Sequence, residues 1–411
     1  MPAIGRRKWT VFGTLAAIYF FLNLATFNSL GVVLYRMAAD LHWSMTEAGM
    51  GFSVLGLACG LSSPLPALAA RRLGGRVTVV LGLVLLSAGC ILAAQADGLG
   101  RYYAATLLLG VGFSLSGNIP GVELIARWFS GVSSRFIGYY MMLGAFGGVF
   151  GPPIVAAIAG SSFGWRGHWM LMAAMAALLA IAGLAMIRDA AAPAGPKGAA
   201  GESPWTPRAA VFTPQFVLVA AAMTATMAGL TTITSVAVNH LVRLGASPSE
   251  AAFDLGAVAL SATLVKGGAG RLCEMFAAHR ILAAGLALQA VGCLLLAAAD
   301  RAGLRHGGVI AFGCGFGMDF VAGTVALLEF FGPVVGARVL SMVWMLTTVA
   351  AAGPLIAGVI ADRTGSFAPF FQACGCVLAL LALPVFLMRR LSQQTDRYRG
   401  ARAEAGEKRE Q

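Results

Sequence analysis

Charged residues are scarce in this sequence. They make up 11% of its 411 residues, whereas hydrophobic residues make up 58%. A soluble globular domain carries about 25% charged residues, so the composition excludes an ordinary water-soluble protein. Hydrophobic runs of about 20 residues can cross a bilayer as helices, and such runs recur along the chain. The composition therefore predicts a polytopic membrane protein in contact with the lipid bilayer.

Motifs for catalysis and for nucleotide hydrolysis are also lacking. The sequence has no GxxxxGK(S/T) phosphate loop and no HExxH, and its one GxSxG spacing, GSSFG at 160–164, closes an apolar run and does not join a strand to a helix, so neither an ATP-driven step nor covalent chemistry is expected. Its seven cysteines form no cluster with histidines and no disulfide framework; we expect them to be small apolar packing residues. The sequence therefore predicts a protein that is not an enzyme and that uses no metal or other cofactor.

A cleavable signal peptide is not indicated at the start of the sequence. Arg6, Arg7 and Lys8 precede an apolar run that continues to about Leu34. A signal-peptide core has only about 7–15 residues. We therefore interpret this run as the first membrane span.

The apolar runs predict an all-α membrane protein with twelve transmembrane helices in two six-helix halves. The spans lie near residues 10–36, 46–69, 77–96, 102–127, 135–160, 167–187, 213–241, 251–272, 281–299, 308–330, 337–361 and 368–388. Residues 188–208 are rich in proline, glycine and alanine, which is typical of a flexible connection. The predicted division is an N-terminal half at 1–188, a cytoplasmic linker at 189–210, a C-terminal half at 211–390 and a cytoplasmic tail at 391–411.

Lysine and arginine are distributed unevenly between the two sides that these spans define. Sixteen of them fall on the side of the N-terminus and seven on the other side. Cytoplasmic loops carry such an excess of positive charge, so we predict that both termini are cytoplasmic, in a cytoplasmic (inner) membrane. The net charge of +12 is then an orientation signal, and no nucleic-acid partner is expected.

The two halves repeat the same order of sequence signals. GPPIVAAIAGSSFG at 151–164 resembles GPLIAGVIADRTG at 353–365, at an offset of 202 residues. Parallel repeats of this kind are related by an axis along the membrane normal, and they place a binding site between the halves near the midplane. Since one chain already contains both halves, we expect a monomer.

Several loop motifs together resemble the major facilitator superfamily over essentially the whole chain. They are ALAARRLGGR after span 2, WF followed by Arg135 after span 4, GAFGGVFGPP in span 5, GWR at 164–166 and DRTGS at 362–366. In the loop after span 2, Arg71 stands where the superfamily has an acid, and its counterpart after span 8 keeps an acid as Glu274. The resemblance implies a transporter that works by rocking-type alternating access.

Within that superfamily, KGGAG and VNHLV resemble the branch of monocarboxylate transporters and oxalate–formate antiporters. In that branch an arginine in span 8, followed four residues later by glycine, binds the substrate carboxylate. Lys266 and Gly270 occupy these two positions here. A lysine replaces the arginine's bidentate fork by a point charge, and Ala262 stands where animal members have an acid.

Two charged residues lie deep within predicted spans. A lysine at mid-span costs roughly 2.5–3.5 kcal/mol, so Lys266 either binds an anionic substrate or extends its side chain to the membrane surface. Asp319 is the only carboxylate deep in span 10. We expect Asp319 to pair with Lys266 in the empty site and to take a proton when substrate displaces it. The alternative is a permanent structural pair.

The remaining candidates are polar or aromatic residues in the spans and at their ends. They are Asn28, Asn118, Thr231 and Trp344 for substrate contact, His240 for proton coupling, and Glu123, Arg127 and Glu274 for a cytoplasmic gate. Each has a structural alternative: hydrogen bonds between helices for the asparagines, bonding to its own helix for Thr231, and core packing for Trp344. His240 could equally be an interfacial histidine, and Glu123 with Arg127 a packing pair one helical turn apart.

These residues predict a secondary active transporter of small mono- or dicarboxylates, coupled to protons. Lys266 would bind the carboxylate and Asp319 would carry the proton; exchange of two anions would need no proton carrier. One alternative is an exporter of drug-like or hydrophobic solutes by proton antiport. The other is a sensor on the same scaffold that binds a carboxylate without transporting it.

Overall fold

The regular secondary structure of the chain is helical wherever it is described. The computed structural model describes residues 2–26, 30, 33, 36–37, 40–43, 45–129, 132–189, 205–299 and 301–388. Every regular element within these ranges is a helix. The predicted all-α class is therefore confirmed.

Eight helices lie in the described residues of the first half. They are α1 (Pro2–Ala25), α2 (Met45–Leu61), α3 (Leu65–Leu73), α4 (Gly75–Ala94), α5 (Leu99–Ser116), α6 (Asn118–Trp128), α7 (Ser133–Gly160) and α8 (Gly164–Met186). Each of the predicted spans 1–6 overlaps this set. Span 2 is divided between α2 and α3, which are bent by 51° relative to each other, and span 4 is divided between α5 and α6.

The second half contains seven α-helices and one 3₁₀ segment in the part that the structure describes. They are α9 (Pro207–Val211), α10 (Pro214–Arg243), α11 (Pro248–Met275), α12 (Ala278–Ala297), α13 (Ala302–Leu346), the 3₁₀ segment (Thr347–Ala352), α14 (Gly353–Thr364) and α15 (Ala368–Phe386). Spans 7, 8, 9 and 12 correspond to α10, α11, α12 and α15. Spans 10 and 11 share α13, and span 11 continues through the 3₁₀ segment into α14.

A glycine–proline pair separates spans 10 and 11 inside α13. Gly332 has φ 77° and ψ 168°, a backbone conformation outside the helical region, and Pro333 follows it. Glycine adopts positive φ without steric cost, and proline has no N–H to continue the helical hydrogen bonds. The turn between the two spans is therefore built from two residues.

Membrane-spanning length and hydropathy support the twelve spans. Eight helical segments of the described chain are long and apolar enough to cross a membrane, or nine if the bent α2–α3 pair is one span. One of the eight, Ala302–Ala361, has 60 residues and contains both predicted spans 10 and 11. The helices α7 and α11 have 28 residues each, which at 1.5 Å per residue exceeds a hydrocarbon core of about 30 Å.

The start of α11 is fixed by a capping box. The Oγ of Ser247 accepts a hydrogen bond from the backbone N–H of Glu250, and the Glu250 carboxylate accepts one from the backbone N–H of Ser247 at 2.8 Å. Pro248 occupies the first helical turn, where its missing N–H has no cost. This start places Lys266 five turns into the helix.

The two halves of the chain meet closely along α7 and α11. A Cβ atom added to Gly138 would lie 2.7 Å from the carbonyl oxygen of Lys266, and one added to Gly270 would lie 2.4 Å from that of Ser134. Only glycine permits backbones to approach so closely. The close approach places the Lys266 backbone directly beside the N-terminal half.

Candidate functional site

The ammonium group of Lys266 lies against two aromatic rings of α13. Its Nζ is 4.5 Å from the ring centroid of Phe320 and 5.2 Å from that of Phe316. The residue is only 8% exposed. Since Phe316 and Phe320 lie about midway along span 10, the side chain points into the bundle and does not extend to either membrane surface.

No carboxylate compensates the charge of Lys266 among the residues that the structure describes. None of the ion pairs there includes this lysine. A cation over an aromatic face gains about 0.5–2 kcal/mol, whereas burying an ion costs several kcal/mol. The two rings therefore hold the ammonium in place, but their attraction is too weak to offset the cost of burying its charge.

The prediction that Lys266 and Asp319 form an ion pair is wrong. The Oδ2 atom of Asp319 accepts a hydrogen bond from the Oγ1 atom of Thr226 on α10 at 3.1 Å. Its Oδ1 atom faces Gly285 on α12, where an added Cβ would lie 2.0 Å away. Successive residues of a helix are about 100° apart, so Asp319 projects from a different face of α13 than its neighbour Phe320, which contacts Lys266.

Trp344 joins the aromatic wall beside Lys266. Its ring lies 5.2 Å from that of Phe320 at an interplanar angle of 55°. Its indole Nε1 is buried and has no hydrogen-bond partner in the described structure. We refer to Lys266, Phe316, Phe320 and Trp344 as the Lys266 cluster. The sequence singled out Lys266 and Trp344 but missed the two phenylalanines, although their spacing of four residues places them on one helix face.

Asn118 lies at the break in span 4, at about the same depth as Lys266. The carbonyl oxygen of Gly117 at this break accepts hydrogen bonds from the Oη atom of Tyr140, at 3.0 Å, and from the backbone N–H of Gly121, at 3.3 Å. Tyr140 is two residues beyond Gly138, which abuts the Lys266 backbone, and two residues rise about 3 Å along a helix. Both polar atoms of the Asn118 amide are buried without a partner in the described residues.

Two other predicted residues, Thr231 and His240, lie away from the Lys266 cluster. The Oγ1 atom of Thr231 donates to the backbone carbonyl oxygen of Met227 on its own helix, at 3.0 Å. It also lies 3.0 Å from the carbonyl oxygen of Ala350 in the 3₁₀ segment. His240 lies in the last turn of α10; it is 2% exposed, and its Nε2 lies 2.8 Å from the carbonyl oxygen of Leu296 near the end of α12. Asn28 lies outside the described residues.

The predicted gate residues gather at the end of the bundle where α1 begins. Glu274 of α11 forms an ion pair with Arg135 of α7, with 2.6 Å between Oε2 and Nη2. Glu123 and Arg127 form an ion pair within α6. The sequence marked Arg135 as part of a motif but did not pair it with Glu274.

This helical bundle, with an uncompensated cation at mid-depth between two contacting halves, defines a multi-pass membrane transporter. The sequence pattern of the Major Facilitator Superfamily matches residues 15–318, which is well over half of the chain. The chain belongs to this superfamily. Its members are transporters and not enzymes, as the sequence predicted.

Two curated relatives match the sequence at low identity. Monocarboxylate transporter 11 of Mus musculus is 26% identical over 391 residues, covering 91% of this chain and 85% of the relative. The protein named "Probable L-galactonate transporter" of Escherichia coli (strain K12) is 27% identical over 170 residues, covering 41% of this chain and 37% of the relative. The first match supports the predicted branch of the superfamily.

Solved structures share the fold over nearly the whole chain. The fucose:proton symporter FucP of E. coli has a TM-score of 0.70 at 14% identity and covers 91% of this chain and 98% of its own. The human organic anion transporter MFSD10 has a TM-score of 0.67 at 14% identity and covers 92% and 99%. At these identities the likeness concerns the fold alone.

Proposed function

We propose that the protein transports small organic anions, mono- or dicarboxylates, by alternating access and with coupling to protons. The observation that carries the proposal is the Lys266 ammonium, which is buried at mid-depth and has no anionic partner in the described structure. A carboxylate that entered beside it would supply the missing counter-charge. The match to a monocarboxylate transporter supports the same substrate class.

Three of the predicted contacts, Lys266, Trp344 and Asn118, have a role in this proposal. Lys266 binds the carboxylate, and Phe316, Phe320 and Trp344 contact the apolar part of the substrate. Asn118 offers an amide from the first half at the same depth. Substrate contact by Thr231 stays a prediction, because its hydroxyl is hydrogen-bonded to backbone carbonyls. Substrate contact by Asn28 also stays a prediction, because Asn28 lies outside the described residues.

The proposed orientation places the Arg135–Glu274 end in the cytoplasm, in agreement with the excess of basic residues there. The halves are joined at this end by the Arg135–Glu274 pair, so in this orientation the described conformation is closed to the cytoplasm. Asp319 carries the proton in this scheme, but not by exchanging partners with Lys266. His240 is a second titratable group of the same half.

A substrate screen tests the proposed function. The melting temperature of the purified protein is measured with L-lactate, succinate and benzoate, which represent mono-, di- and aromatic carboxylates. Compounds that stabilise the protein are then tested for uptake into proteoliposomes. Lys266→Ala is expected to abolish both the stabilisation and the uptake, whereas Lys8→Ala, which removes a lysine far from the cluster, retains both.

Three outcomes would contradict the proposal in different ways. Carboxylate uptake that survives in Lys266→Ala removes the assigned role of the lysine. Export of apolar cations by wild type and by Lys266→Ala alike indicates the drug exporter. Binding of a carboxylate to wild type without any flux indicates the sensor.

A further inference from the structure

The contact between α12 and α13 contains two polar residues, and a glycine of the facing helix lies against the side chain of one and the backbone of the other. A Cβ atom on Gly285 would lie 2.0 Å from Oδ1 of Asp319, and one on Gly315 would lie 2.6 Å from the backbone nitrogen of Gln289. The helices are antiparallel, so Asp319 and Gln289 are one turn apart on the same line of contact. Helical side chains lean toward the N-terminus of their helix, which directs Gln289 toward Gly285 and Asp319.

The polar atoms on this contact line lack hydrogen-bond partners within the described structure. They are Oδ1 of Asp319 and both Oε1 and Nε2 of Gln289. Asp319 and Gln289 are each 0% exposed, and Thr226, which donates to the other carboxylate oxygen at 3.1 Å, is 1% exposed. An unpartnered amide is therefore buried one turn from an unpartnered carboxylate oxygen.

A buried carboxylate without a cation must be neutralised, because an isolated ion in a low-dielectric interior is very costly. No lysine, arginine or histidine pairs with Asp319 among the described residues. The free side-chain oxygens at the site are Oδ1 and Oε1, since the Thr226 hydroxyl already donates its proton to Oδ2. A single proton on Asp319 neutralises the carboxylate and needs no further ligand.

We propose that Gln289 and Thr226 position the transported proton on Asp319, in a site that is separate from the Lys266 cluster. An amide suits both protonation states: its carbonyl accepts from the carboxylic acid, and its NH₂ donates to the carboxylate. The proton enters from water on one side of the membrane as Asp319 is protonated, and it leaves to water on the other side. This inference rests on the proposed proton coupling and adds the residues that set it.

The helix α13 connects this proton site to the substrate site. Asp319 lies between Phe316 and Phe320, which hold the Lys266 ammonium. A change in the contacts of Asp319 with α12 that rotates or shifts α13 also moves these rings. Coupling through a shared helix requires no contact between Asp319 and Lys266, in agreement with their positions.

Infrared spectroscopy of the full-length protein in liposomes tests the protonation of Asp319 without any substrate. We expect a carboxylic-acid C=O band at neutral pH that disappears in Asp319→Asn. The band should shift in Gln289→Leu and in Thr226→Val, since each variant removes one hydrogen-bonding group, and Thr226→Ser should restore it. A wild-type protein without the band, or a band that survives in Asp319→Asn, would overturn the proposal.

Uptake of the carboxylate found in the screen, measured against external pH, tests coupling. In Gln289→Leu and Thr226→Val the pH of half-maximal uptake should rise by about one unit or more, because the ionised carboxylate loses a donor. The control is Thr324→Val on the same helix, which removes a buried hydroxyl that donates to the Phe320 carbonyl and should leave the profile unchanged. If Gln289→Leu does not fold, Gln289→Met gives the same readout with an unbranched side chain.

The outcomes separate this inference from the proposed function. Unchanged pH profiles and infrared bands in the Gln289 variants, or uptake driven by a Na⁺ gradient and not by protons, would overturn the inference while carboxylate transport stands. Absence of any carboxylate flux would end the proposed function. The infrared experiment would then still decide whether Asp319 holds a proton beside Gln289.

Discussion

Arg135 and Glu274 join the two halves of the protein by hydrogen bonds between charged groups. The Nε and Nη2 atoms of Arg135 lie 2.9 and 2.6 Å from Oε2 of Glu274, and the backbone N–H of Arg135 lies 3.3 Å from Oε1. The side chains are 33% and 15% exposed, so solvent screens the pair only in part. Both side chains and one backbone group thus stabilise the closed state of this end.

Disruption of this pair should open the end of the bundle where α1 begins. A hydrogen bond to a charged group contributes about 1.5–3 kcal/mol, and the exposure places the expected effect at the lower limit. In Arg135→Gln we therefore expect the population open at this end to rise by about tenfold. The adjacent thiol of Cys273, which is 4% exposed, should react correspondingly faster with a maleimide, as measured by peptide mass spectrometry.

The control for this prediction is Arg101→Gln. Arg101 pairs with Asp97 at 2.8 Å, but both residues belong to the first half and are 42% and 70% exposed. This variant should label Cys273 at the wild-type rate. The exchanged pair Arg135→Glu with Glu274→Arg should restore slow labelling, and equal rates in Arg135→Gln and wild type would show that the pair does not hold the end closed.

The spans could be predicted from the sequence, whereas the rotation of the helices could not. Apolar runs between charges fix how deep Asp319 and Lys266 lie, because rise per residue is constant. The direction in which Asp319 points depends on the rotation of α13 about its axis. A helix that is apolar all round carries no amphipathic signal to set that rotation, so the sequence placed the carboxylate within a span but could not tell which neighbouring helix it faces.

Packing against neighbours supplies the missing rotation. The glycines of α13 determine its rotation about its own axis, because Gly315 packs against α12 and Gly317 packs against the carbonyl of Ala262 on α11. The partner of Glu274 was missed for a similar reason: Arg135 is 139 residues away, and only the close approach of Gly138 and Gly270 brings them together. Such pairings depend on both helices at once.

Gly270 and Gly268 offer a matched test of the contact between α7 and α11. A Cβ on Gly270 would lie 2.4 Å from the carbonyl oxygen of Ser134 and 3.0 Å from Cα of Gly138, and both atoms belong to backbone that cannot turn aside. Overpacking costs about 1–3 kcal/mol, so Gly270→Ala should lower the melting temperature and slow transport.

Gly268→Ala adds the same methyl group two residues away on the same helix. No atom lies within 4 Å of a Cβ at Gly268, and alanine is favoured over glycine in a helix by up to about 1 kcal/mol. The melting temperature should stay equal or rise, as measured by thermal shift in detergent. A Gly270→Ala protein as stable as Gly268→Ala would show that the two halves do not need this close approach.

Asp40 makes the contact between the end of span 1 and the start of α8 sensitive to acid. The Nε1 atom of Trp165 donates a hydrogen bond to Oδ2 of Asp40 at 2.9 Å, and Arg166 lies 3.2 Å from the same atom. The Trp165 hydrogen bond, with a further contribution from Arg166, lowers the pKa of the Asp40 carboxyl below its ordinary value. Its stabilising contribution is therefore complete above about pH 3.9 and is lost as the pH falls through the lowered pKa.

The measurement is tryptophan fluorescence between neutral pH and the acid limit. We expect a spectral change of Trp165 at the acid end in the wild-type protein. In Asp40→Asn this change should be absent, because the group that titrates is removed. In Trp165→Phe the fluorescence change should also be absent, because the reporting tryptophan is removed. An acid transition that persists in Asp40→Asn would show that another carboxylate is responsible.

Asp254 anchors the start of α11 to the start of α13 by a buried charge network. Its Oδ2 lies 2.7 Å from Nε of Arg305 and its Oδ1 lies 2.7 Å from Nδ1 of His306. Asp254 is fully buried and the Arg305 side chain is 9% exposed. Removal of one partner from a buried ion pair costs about 3–5 kcal/mol, because the other charge is left uncompensated. Asp254→Asn should therefore lower the melting temperature strongly.

The control lies one turn earlier on the same helix. Glu250 also approaches Arg305, at 3.6 Å, but its side chain is 54% exposed, and an exposed pair contributes about 0–1 kcal/mol. Glu250→Gln should therefore change the melting temperature far less than Asp254→Asn. Since Asp254 and Lys266 share α11, a loosened anchor should also weaken carboxylate binding, measured as a smaller ligand-induced thermal shift. Equal stability of the two variants would show that the buried network does not hold α11 in place.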